Sequence, residues 1–271
     1  MAEIVQLNLY PVKSCRGIPL AVAVLAETGI DLDRNWMFVD ASGNFLTQRD
    51  APALALVEPR ISGGTLELRA PGMPALNVPG ELPKMPAQVR IWDDNCPALD
   101  EGDGASRWIS QYLGTAARLV RFDPAFKRAS SREWTGEITA LNRFTDGYPL
   151  LVISEASIRD IGARLGGPIP ATRFRPNIVI AGLEPYEEDY LDALCGPHVM
   201  LKIVKPCSRC QIVNTIQESG KVGDEPLLTL ATYRRNARLG GAVTLGQNAV
   251  IARGVGAKLR VGDSLNESWT F

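Results

Sequence analysis

Alternation of apolar and polar side chains is the dominant pattern in this chain, and it predicts β-strands more often than helices. Residues 4–9 show the pattern first, until Tyr10 and Pro11 interrupt it. Similar short segments, separated by Pro and Gly, follow at residues 36–39, 45–49, 54–57, 65–69, 89–92, 119–122, 150–153, 177–181, 199–204, 211–216, 249–252 and 258–261. Many short strands with turns between them are typical of a barrel or a sandwich.

Three segments have helical spacing of apolar residues instead, at residues 105–113, 154–165 and 226–235. Gly114 follows the first segment as a stop signal. Ser154 is suited to cap the second, which a Gly-Gly pair ends. Pro226 is suited to the first turn of the third. We therefore expect few helices among many strands.

Two segments lack either pattern and are expected to be connections. Residues 71–86 are rich in Pro, Gly and Met, and residues 127–137 are polar and charged, which is typical of a long flexible loop. The fold class that follows is a β-rich α+β protein. We place a domain boundary near residue 115, which divides the chain into residues 1–115 and 116–271.

The composition is that of an ordinary soluble globular protein. Of the 271 residues, 45% are hydrophobic and 22% charged, and the formal net charge is −1. A nearly neutral chain argues against nucleic acid as the main partner. The chain begins without the pattern of a signal peptide, and no apolar run approaches the roughly 20 residues that span a bilayer. We expect a cytoplasmic protein that does not associate with membranes.

Five cysteines are scattered along the chain at positions 15, 96, 195, 207 and 210. An odd number in a chain of this length argues against a disulfide framework, which again favours a reducing cytoplasm. His198 is the single histidine. Enzymes built on a histidine base, including Ser-His-Asp triads, and metal sites rich in histidine are therefore disfavoured.

Cys207 and Cys210 form a Cys-x-x-Cys segment between two predicted strands. Pro206 cannot donate a hydrogen bond to a sheet, so we expect it to mark the end of the first of these strands. Arg209 is a cationic neighbour that favours the thiolate, which is the form that attacks electrophiles and binds metals. The spacing alone leaves three interpretations open: half of a zinc site, a redox dithiol, or two cysteines without a function.

Basic residues occur at the ends of predicted strands. Lys13 and Ser14 follow the first strand, and Arg34 and Arg175 each precede a later one. Arginine suits bidentate binding of phosphate or carboxylate, and lysine offers a point charge. Taken singly, each is more typical of a solvated or salt-bridged surface residue. The mouth of a barrel, however, gathers strand ends from distant parts of a sequence.

Several segments together resemble the MOSC proteins, a family named for the C-terminal domain of molybdenum cofactor sulfurase. The segments occur in order as Tyr10-Pro11-Val12-Lys13-Ser14-Cys15-Arg16-Gly17, Asp33-Arg34-Asn35-Trp36, Ile153-Ser154-Glu155-Ala156-Ser157, Phe174-Arg175-Pro176-Asn177-Ile178-Val179 and Cys207-Ser208-Arg209-Cys210. The resemblance covers nearly the whole chain and includes the mitochondrial amidoxime-reducing components and their bacterial counterparts. It implies a MOSC β-barrel with a closely packed N-terminal α/β region.

The resemblance also implies a site. In the family, the second cysteine of the Cys-x-x-Cys segment binds molybdenum, which is Cys210 here. The residues that the resemblance assigns to the cofactor pocket are Lys13, Ser14, Arg34, Asp146, Gly147, Tyr148, Arg175, Asn177, Ser208, Arg209 and Asn248. Relatives often have hydroxyl residues where Gly147 and Tyr148 stand, and animal members have tyrosine in place of Asn248. Molybdopterin carries a phosphate and a dithiolene, so a pocket with cations, backbone donors and one thiolate suits it.

The implied function is that of a molybdenum-cofactor-dependent oxidoreductase. It would reduce N-hydroxylated compounds, such as hydroxylamines, amidoximes and N-hydroxylated bases, to amines. Asp146 is a candidate proton relay. The sequence lacks the Cys-x4-Cys-x2-Cys pattern of a plant-type ferredoxin, so we expect a separate electron donor of the ferredoxin or flavin reductase type.

Two other functions stay open. A sulfur carrier or molybdenum-cofactor carrier would use Cys207 or Cys210, with a persulfide on one of them in the first case. A cofactor-storage protein would bind the molybdenum cofactor without turning over a substrate.

Overall fold

The structure is a computed structural model that describes residues 1–270, and most of its regular structure is strand. The strands are β1 (Ala2–Leu9), β2 (Ile18–Leu20), β3 (Val22–Ala26), β4 (Gly29–Ile30), β5 (Trp36–Asp40), β6 (Glu58–Ser62), β7 (Thr65–Arg69), β8 (Leu76–Val78), β9 (Met85–Ile91), β10 (Asp94–Asp100), β11 (Ala117–Phe122), β12 (Leu150–Ser154), β13 (Ile178–Ala181), β14 (Leu191–Cys195), β15 (Met200–Ser208), β16 (Arg235–Asn236), β17 (Ala242–Arg253), β18 (Lys258–Arg260) and β19 (Ser264–Trp269).

The helices are short and lie between the strands. They are α1 (Asp103–Leu113), α2 (Arg132–Thr135), α3 (Glu155–Arg164) and α4 (Leu227–Ala231), with 3-10 turns at Pro52–Leu56, Ala171–Arg173, Glu187–Tyr190, Gln211–Asn214 and Ala237–Leu239. A helix with the length and apolar character of a membrane span is not found among residues 1–270.

Seven strands close into a barrel, which confirms the predicted strand-rich barrel. Their order around the ring is β12, β13, β1, β19, β14, β15 and β17, and β17 pairs with β12 to complete it. β12 and β13 run parallel, whereas the other neighbours run antiparallel. Closure leaves the ring without a free edge. Its interior is filled by aliphatic side chains that include Ile4, Leu7, Val152, Ile178, Ile180, Leu201 and Leu265.

The remaining strands of the first half form smaller sheets. A four-stranded sheet consists of β5, β11, β10 and β9. Trp108 and Ile109 of α1 pack against this sheet, in one apolar cluster with side chains of β5 and β11. As the sequence predicts, Gly114 stops α1: it follows the last helical residue, Leu113, and adopts the left-handed conformation. The predicted boundary near residue 115 lies between α1 and β11. The four-stranded sheet therefore takes strands from both sides of that boundary, and β1 from the first half lies in the barrel.

Three predicted strands and one predicted helix differ from the structure. Residues 45–49 form only an isolated bridge at Phe45. Residues 54–57 and 211–216 are mostly 3-10 turns, because a short apolar run is compatible with either a strand or a helical turn, and Pro52 presets a helical φ at the start of the first. The helix expected to run to Arg235 ends at Ala231, since Arg235 pairs with β17 as part of β16.

The prediction that Pro206 ends a strand is wrong. β15 continues through it to Ser208, with register shifts against β17 on both sides of the proline. Such irregularities are places where a strand tolerates a residue that cannot donate to the ladder. The consequence is that Cys210 lies just beyond the strand, at the rim of the barrel.

Residues 127–137, expected to be a long flexible loop, contain α2 and pack against the rest of the protein. The guanidinium of Arg128 is buried, with Nη1 bonded to the carbonyl of Arg143 at 2.8 Å and to that of Thr145 at 2.7 Å. The same side chain binds the Asp94 carboxylate through Nε and Nη2 at 2.9 and 2.7 Å. Arg128 therefore fixes the segment that leads to Asp146.

Candidate functional site

A cleft with a volume of about 250 Å³ lies where the start of β12, the end of β15 and the middle of β17 meet the turn after β1. It brings together residues that are far apart in the sequence. All twelve residues assigned by resemblance line it: Lys13, Ser14, Arg34, Asp146, Gly147, Tyr148, Arg175, Asn177, Ser208, Arg209, Cys210 and Asn248. The barrel rim thus gathers the predicted strand-end cations into one site.

Lys13 and Asp146 form an ion pair in this cleft. The Lys13 ammonium donates to Asp146 Oδ1 at 2.7 Å and to the carbonyl of Phe144 at 2.9 Å. Burial lowers the pKa of Lys13, and the Asp146 carboxylate offsets part of that effect. Crowding by the cleft walls would raise the pKa of Asp146, but the Lys13 charge and hydrogen bond hold that pKa well below its usual range.

The Asp146 carboxylate nevertheless stays open to water, since 71% of its side chain is exposed. Water screens this carboxylate, although the Lys13 side chain is buried, so the pair adds less to the stability of the fold than a fully buried pair would. Its effect is local: it places a permanent negative charge beside Lys13 at neutral pH.

The buried Tyr10 ring packs against two arginines that line the cleft. The guanidinium carbons of Arg34 and Arg175 are each 4.4 Å from the centroid of its ring, which is cation–π geometry. Burial raises the pKa of Tyr10 to about 12, so its ring stays neutral. Burial, reinforced by the charge of Arg34, lowers the pKa of Arg175 to about 10. The aromatic ring thereby holds two like charges close together.

Two buried guanidinium N–H groups at this end of the cleft have no hydrogen-bond partner within residues 1–270. They are Arg175 Nη2 and Arg209 Nε. One neighbouring nitrogen of each side chain is bonded: Arg175 Nη1 donates to the carbonyl of Cys15 at 2.6 Å, and Arg209 Nη2 donates to that of Phe174 at 2.7 Å. Buried donors are usually satisfied, so these two suit an anionic group such as a phosphate.

Cys210 is an exposed thiol at the start of the Gln211–Asn214 turn. Arg173 holds that turn in place by donating from Nε to the carbonyl of Val213 at 2.8 Å and from Nη2 to that of Glu225 at 2.7 Å. No cluster of three or more His, Cys, Asp or Glu side chains suited to a metal occurs within residues 1–270. A zinc site would need a second pair of ligands, which these residues do not supply. A metal whose other ligands belong to a bound cofactor would need only one thiolate from the protein.

Comparison with known proteins agrees with this geometry. A family model described as the MOSC N-terminal beta barrel domain matches residues 1–116, and the MOSC domain matches residues 140–266. The chain is 34% identical over 245 residues to mitochondrial amidoxime-reducing component 1 of Homo sapiens, which covers 87% of this chain and 73% of the human protein. This chain belongs to the MOSC family.

Two further relatives of this MOSC protein have related names. Mitochondrial amidoxime reducing component 2 of Rattus norvegicus is 34% identical over 238 residues, which covers 83% of this chain and 70% of the rat protein. Molybdenum cofactor sulfurase of Oryza sativa is 32% identical over 249 residues, but these cover 84% of this chain and only 30% of the rice protein. The likeness to the amidoxime-reducing components therefore extends over most of both chains.

Some of the assigned residues line the MOSC cleft but have their side chains engaged elsewhere. The Asn177 amide is buried and donates to the carbonyl of Asn8 at 3.3 Å, while its oxygen accepts from the backbone of Leu151 at 3.2 Å. These bonds join β1 to β12 at the rim. Burial raises the pKa of Tyr148 to about 12, and its hydroxyl has no partner within residues 1–270. We therefore expect Asn177 to shape the cleft and Tyr148 to offer a neutral donor.

Sequence reasoning missed several residues of the MOSC cleft, of which Arg49, Trp92 and Lys205 carry chemistry. Trp92 donates from its indole nitrogen to Asp146 Oδ1 at 3.1 Å, and the guanidinium carbon of Arg49 lies 4.5 Å from its ring. Arg49 and Trp92 are the last residues of two predicted strands, at residues 45–49 and 89–92. The spacing in the sequence gave no sign that the ends of those segments meet Asp146.

Backbone strain concentrates in the same place. Six residues other than glycine among residues 1–270 have positive φ, and four of them line the cleft: Ser14 (66°), Arg34 (46°), Trp92 (55°) and Arg175 (56°). A positive φ disfavours residues with a Cβ, and such strain clusters at functional sites because the surrounding structure has to hold it.

The charge of the MOSC cleft is strongly positive. Asp146 is its one carboxylate among residues 1–270, whereas six cations line it: Lys13, Arg34, Arg49, Arg175, Lys205 and Arg209. Opposite charges attract over the low-dielectric walls of a cleft more strongly than in open water. The site is therefore built for an anionic ligand.

Proposed function

We propose that this MOSC protein is a molybdenum-cofactor-dependent oxidoreductase that reduces N-hydroxylated compounds to amines. The observation that carries the proposal is the assembly of all twelve assigned residues around one cationic cleft, with an exposed Cys210 at its rim. The names of relatives that match over most of their length, the mitochondrial amidoxime-reducing components, support the same activity.

The residues present fit the cofactor. The unpartnered donors of Arg175 and Arg209 suit a phosphate, and Lys13 and Arg34 add positive charge. Cys210 would supply a soft thiolate to the metal, and Ser208 and Asn248 would line the cofactor. When bound, the cofactor supplies a metal centre that accepts an oxygen atom and exchanges electrons, while the protein orients it and excludes competing ligands.

The overall reaction fixes what the rest of the cleft has to provide. Breaking the N–O bond of a hydroxylamine takes two electrons and two protons and yields the amine and water. Asp146 stays the candidate proton relay. Its pKa lies well below the usual range because of Lys13, so it would accept a proton only briefly and would act mainly by holding the Lys13 ammonium.

The proposal includes a separate electron donor of the ferredoxin or flavin reductase type, and a reducing, cytoplasmic compartment that keeps the cysteines free. The five cysteines are unpaired, and their positions in the sequence do not match a plant-type iron–sulfur pattern. If the purified protein reduced a hydroxylamine from a nicotinamide cofactor alone, the separate donor would be unnecessary.

The decisive experiment measures molybdenum and pterin in protein produced by a host that makes the cofactor. We expect nearly one equivalent of each in the wild type, loss of the metal in Cys210→Ala, and retention in Cys195→Ala, whose thiol lies outside the cleft. With an artificial electron donor, the wild type should convert an amidoxime to its amidine. Metal binding without turnover would favour the storage function instead.

One contact favours the sulfur-carrier alternative as a second candidate. Arg209 Nη1 donates to Cys207 Sγ at 3.1 Å, and both cysteines of the segment line the cleft. A guanidinium next to sulfur stabilises a thiolate or a persulfide anion. Mass spectrometry that finds a labile extra sulfur on Cys207, in protein without pterin, would establish the carrier in place of the reductase.

A further inference from the structure

Trp92 occupies a backbone position that normally belongs to glycine. It is the first residue of the two-residue turn between β9 and β10, where Ile91 pairs with Asp94. Its φ is 55°, and its turn partner Asp93 is not among the residues with positive φ. Positive φ at the first position alone is the pattern of a type II′ turn, in which glycine is strongly preferred. A tryptophan there is strained, so another interaction has to hold it.

The ring of Trp92 is also unusually open for its size, with 45% of the residue exposed along the cleft. Three contacts fix its orientation. The indole N–H donates to Asp146, Arg49 lies over the ring, and Phe45 meets it edge-to-face with 5.1 Å between centroids. The result is a rigid aromatic wall beside the Lys13–Asp146 pair.

Arg49 adds a charge to this wall. Its Nε donates to Thr47 Oγ1 at 3.2 Å, and its guanidinium forms no ion pair with a carboxylate of residues 1–270. The resemblance does not assign Arg49 or Trp92 to the cofactor. A strained, exposed indole backed by an unneutralised guanidinium is suited to a planar ligand that carries a negative charge.

We infer that Trp92 and Arg49 form the substrate-positioning wall of the cleft and select planar, anionic N-hydroxylated compounds. The inference rests on the proposed function for the reaction and adds the substrate class. Trp92 would stack on the planar part of the substrate, and Arg49 would bind its carboxylate or phosphate. Asp146 forms hydrogen bonds with both Lys13 and Trp92, so it would hold the indole at a fixed position relative to the Lys13 ammonium.

Three probes with the same reacting group test the inference: 4-carboxybenzamidoxime, benzamidoxime and acetamidoxime. The wild type should prefer them in that order by kcat/KM. Trp92→Gly should raise KM about five- to tenfold for the two aromatic probes and much less for acetamidoxime, as expected for the loss of one stacking contact. Arg49→Gln should remove the advantage of the carboxylated probe, and with it the dependence of KM on salt.

Binding and folding are measured separately from turnover. Calorimetric titration of 4-carboxybenzamidoxime without an electron donor gives its Kd, which should rise by the same factor in Trp92→Gly. Glycine relieves the strained turn, so the melting temperature of this variant should not fall by more than that of Leu82→Ala, which removes an exposed apolar side chain outside the cleft. A purely structural tryptophan predicts the reverse, a lower melting temperature and an unchanged Kd.

The outcomes separate the two proposals. The inference would be wrong if Trp92→Gly lowered kcat/KM equally for all three probes. It would also be wrong if the Kd of 4-carboxybenzamidoxime were unchanged in Trp92→Gly. A different result would separate the two proposals: 4-carboxybenzamidoxime binds more weakly to Trp92→Gly than to the wild type, but the wild-type holoprotein reduces none of the probes. That result would support the substrate-positioning role of Trp92 and contradict the proposed reductase activity.

Discussion

Lys13 donates a hydrogen bond of 2.7 Å to Asp146, a residue 133 positions away in the sequence. The pair joins the turn after the first barrel strand to the loop that precedes β12. Trp92 donates to the same carboxylate oxygen, so three distant segments meet at one atom. Any change at Asp146 is therefore expected to alter the cleft more than the fold.

Asp146→Asn should lower the free energy of unfolding at neutral pH by less than about 1 kcal/mol, because the side chain is exposed. The folded-state pKa of Asp146 lies below its unfolded value of 3.8. Its contribution is thus present above pH 3.8 and declines as the pH falls toward the folded-state value. Urea unfolding at several pH values checks this, with Asp103→Asn as a control for the loss of a surface charge. A difference that stays constant below pH 3.8 would contradict the prediction.

Arg128→Met should be much more destabilising. The change removes the guanidinium donor from four acceptors: the Asp94 carboxylate, the Asn142 side-chain oxygen and the carbonyls of Arg143 and Thr145. Removing one partner from a buried charged network costs about 3–5 kcal/mol. Urea denaturation measures it, and the exposed Arg90→Met is the matched control, expected within about 0.5 kcal/mol of wild type. Similar midpoints for both variants would show that Arg128 does not fix the loop.

Gly246→Ala should disturb closure of the barrel. A Cβ at this residue, whose φ is 70°, would lie 2.4 Å from Ile153 Cγ1 and 2.8 Å from the carbonyl oxygen of Val152 on the neighbouring strand. We expect a loss of about 3 kcal/mol or more from strain and overpacking together. Gly256→Ala also has positive φ but open space around the new Cβ, so about 1–2 kcal/mol is expected. Thermal unfolding of the two variants isolates the clash from the backbone strain.

Alkylation should discriminate sharply among the five cysteines. Burial raises the pKa of Cys15 to about 12 and also raises the pKa of Cys96, so neither thiol is ionised or accessible in the folded protein. Cys210 is exposed and should react first with iodoacetamide at about pH 8. Peptide mass spectrometry gives the order, and urea should make all five reactive. Early modification of Cys15 in native protein would contradict the buried position.

Much of the fold follows from short-range pattern, but two barrel strands do not. β14 and β19 lie in the ring, yet the apolar pattern of the sequence predicts neither of them. In β19, the six residues Ser264–Trp269 include only two that are apolar, and the strand is half-buried rather than alternating cleanly. Pairing with β1 and β14 decides its conformation, and a window of sequence carries no information about such distant partners.

The residues of the site likewise fall into two groups: those that the sequence predicts and those that only the structure reveals. Lys13, Arg34, Arg175 and Cys210 could be predicted because each lies in one of the segments that resemble the MOSC family. Trp92 could not, since its role arises from a strained turn and from contacts that span 54 positions to Asp146. Local sequence would have favoured glycine in that turn. A residue that violates its local preference becomes informative only when the backbone is known.

The position of β1 in the ring has a consequence for how the protein is made. This strand lies between β13 and β19, so it is synthesised before both partners and waits for strands that begin at Ile178 and Ser264. Pairings of such long sequence separation close large loops and are slow to form. A cut at the predicted boundary near residue 115 would leave a gap between β13 and β19, with two unpaired edges prone to aggregation. It would also divide Lys13 from Cys210, so neither fragment would carry a complete cleft.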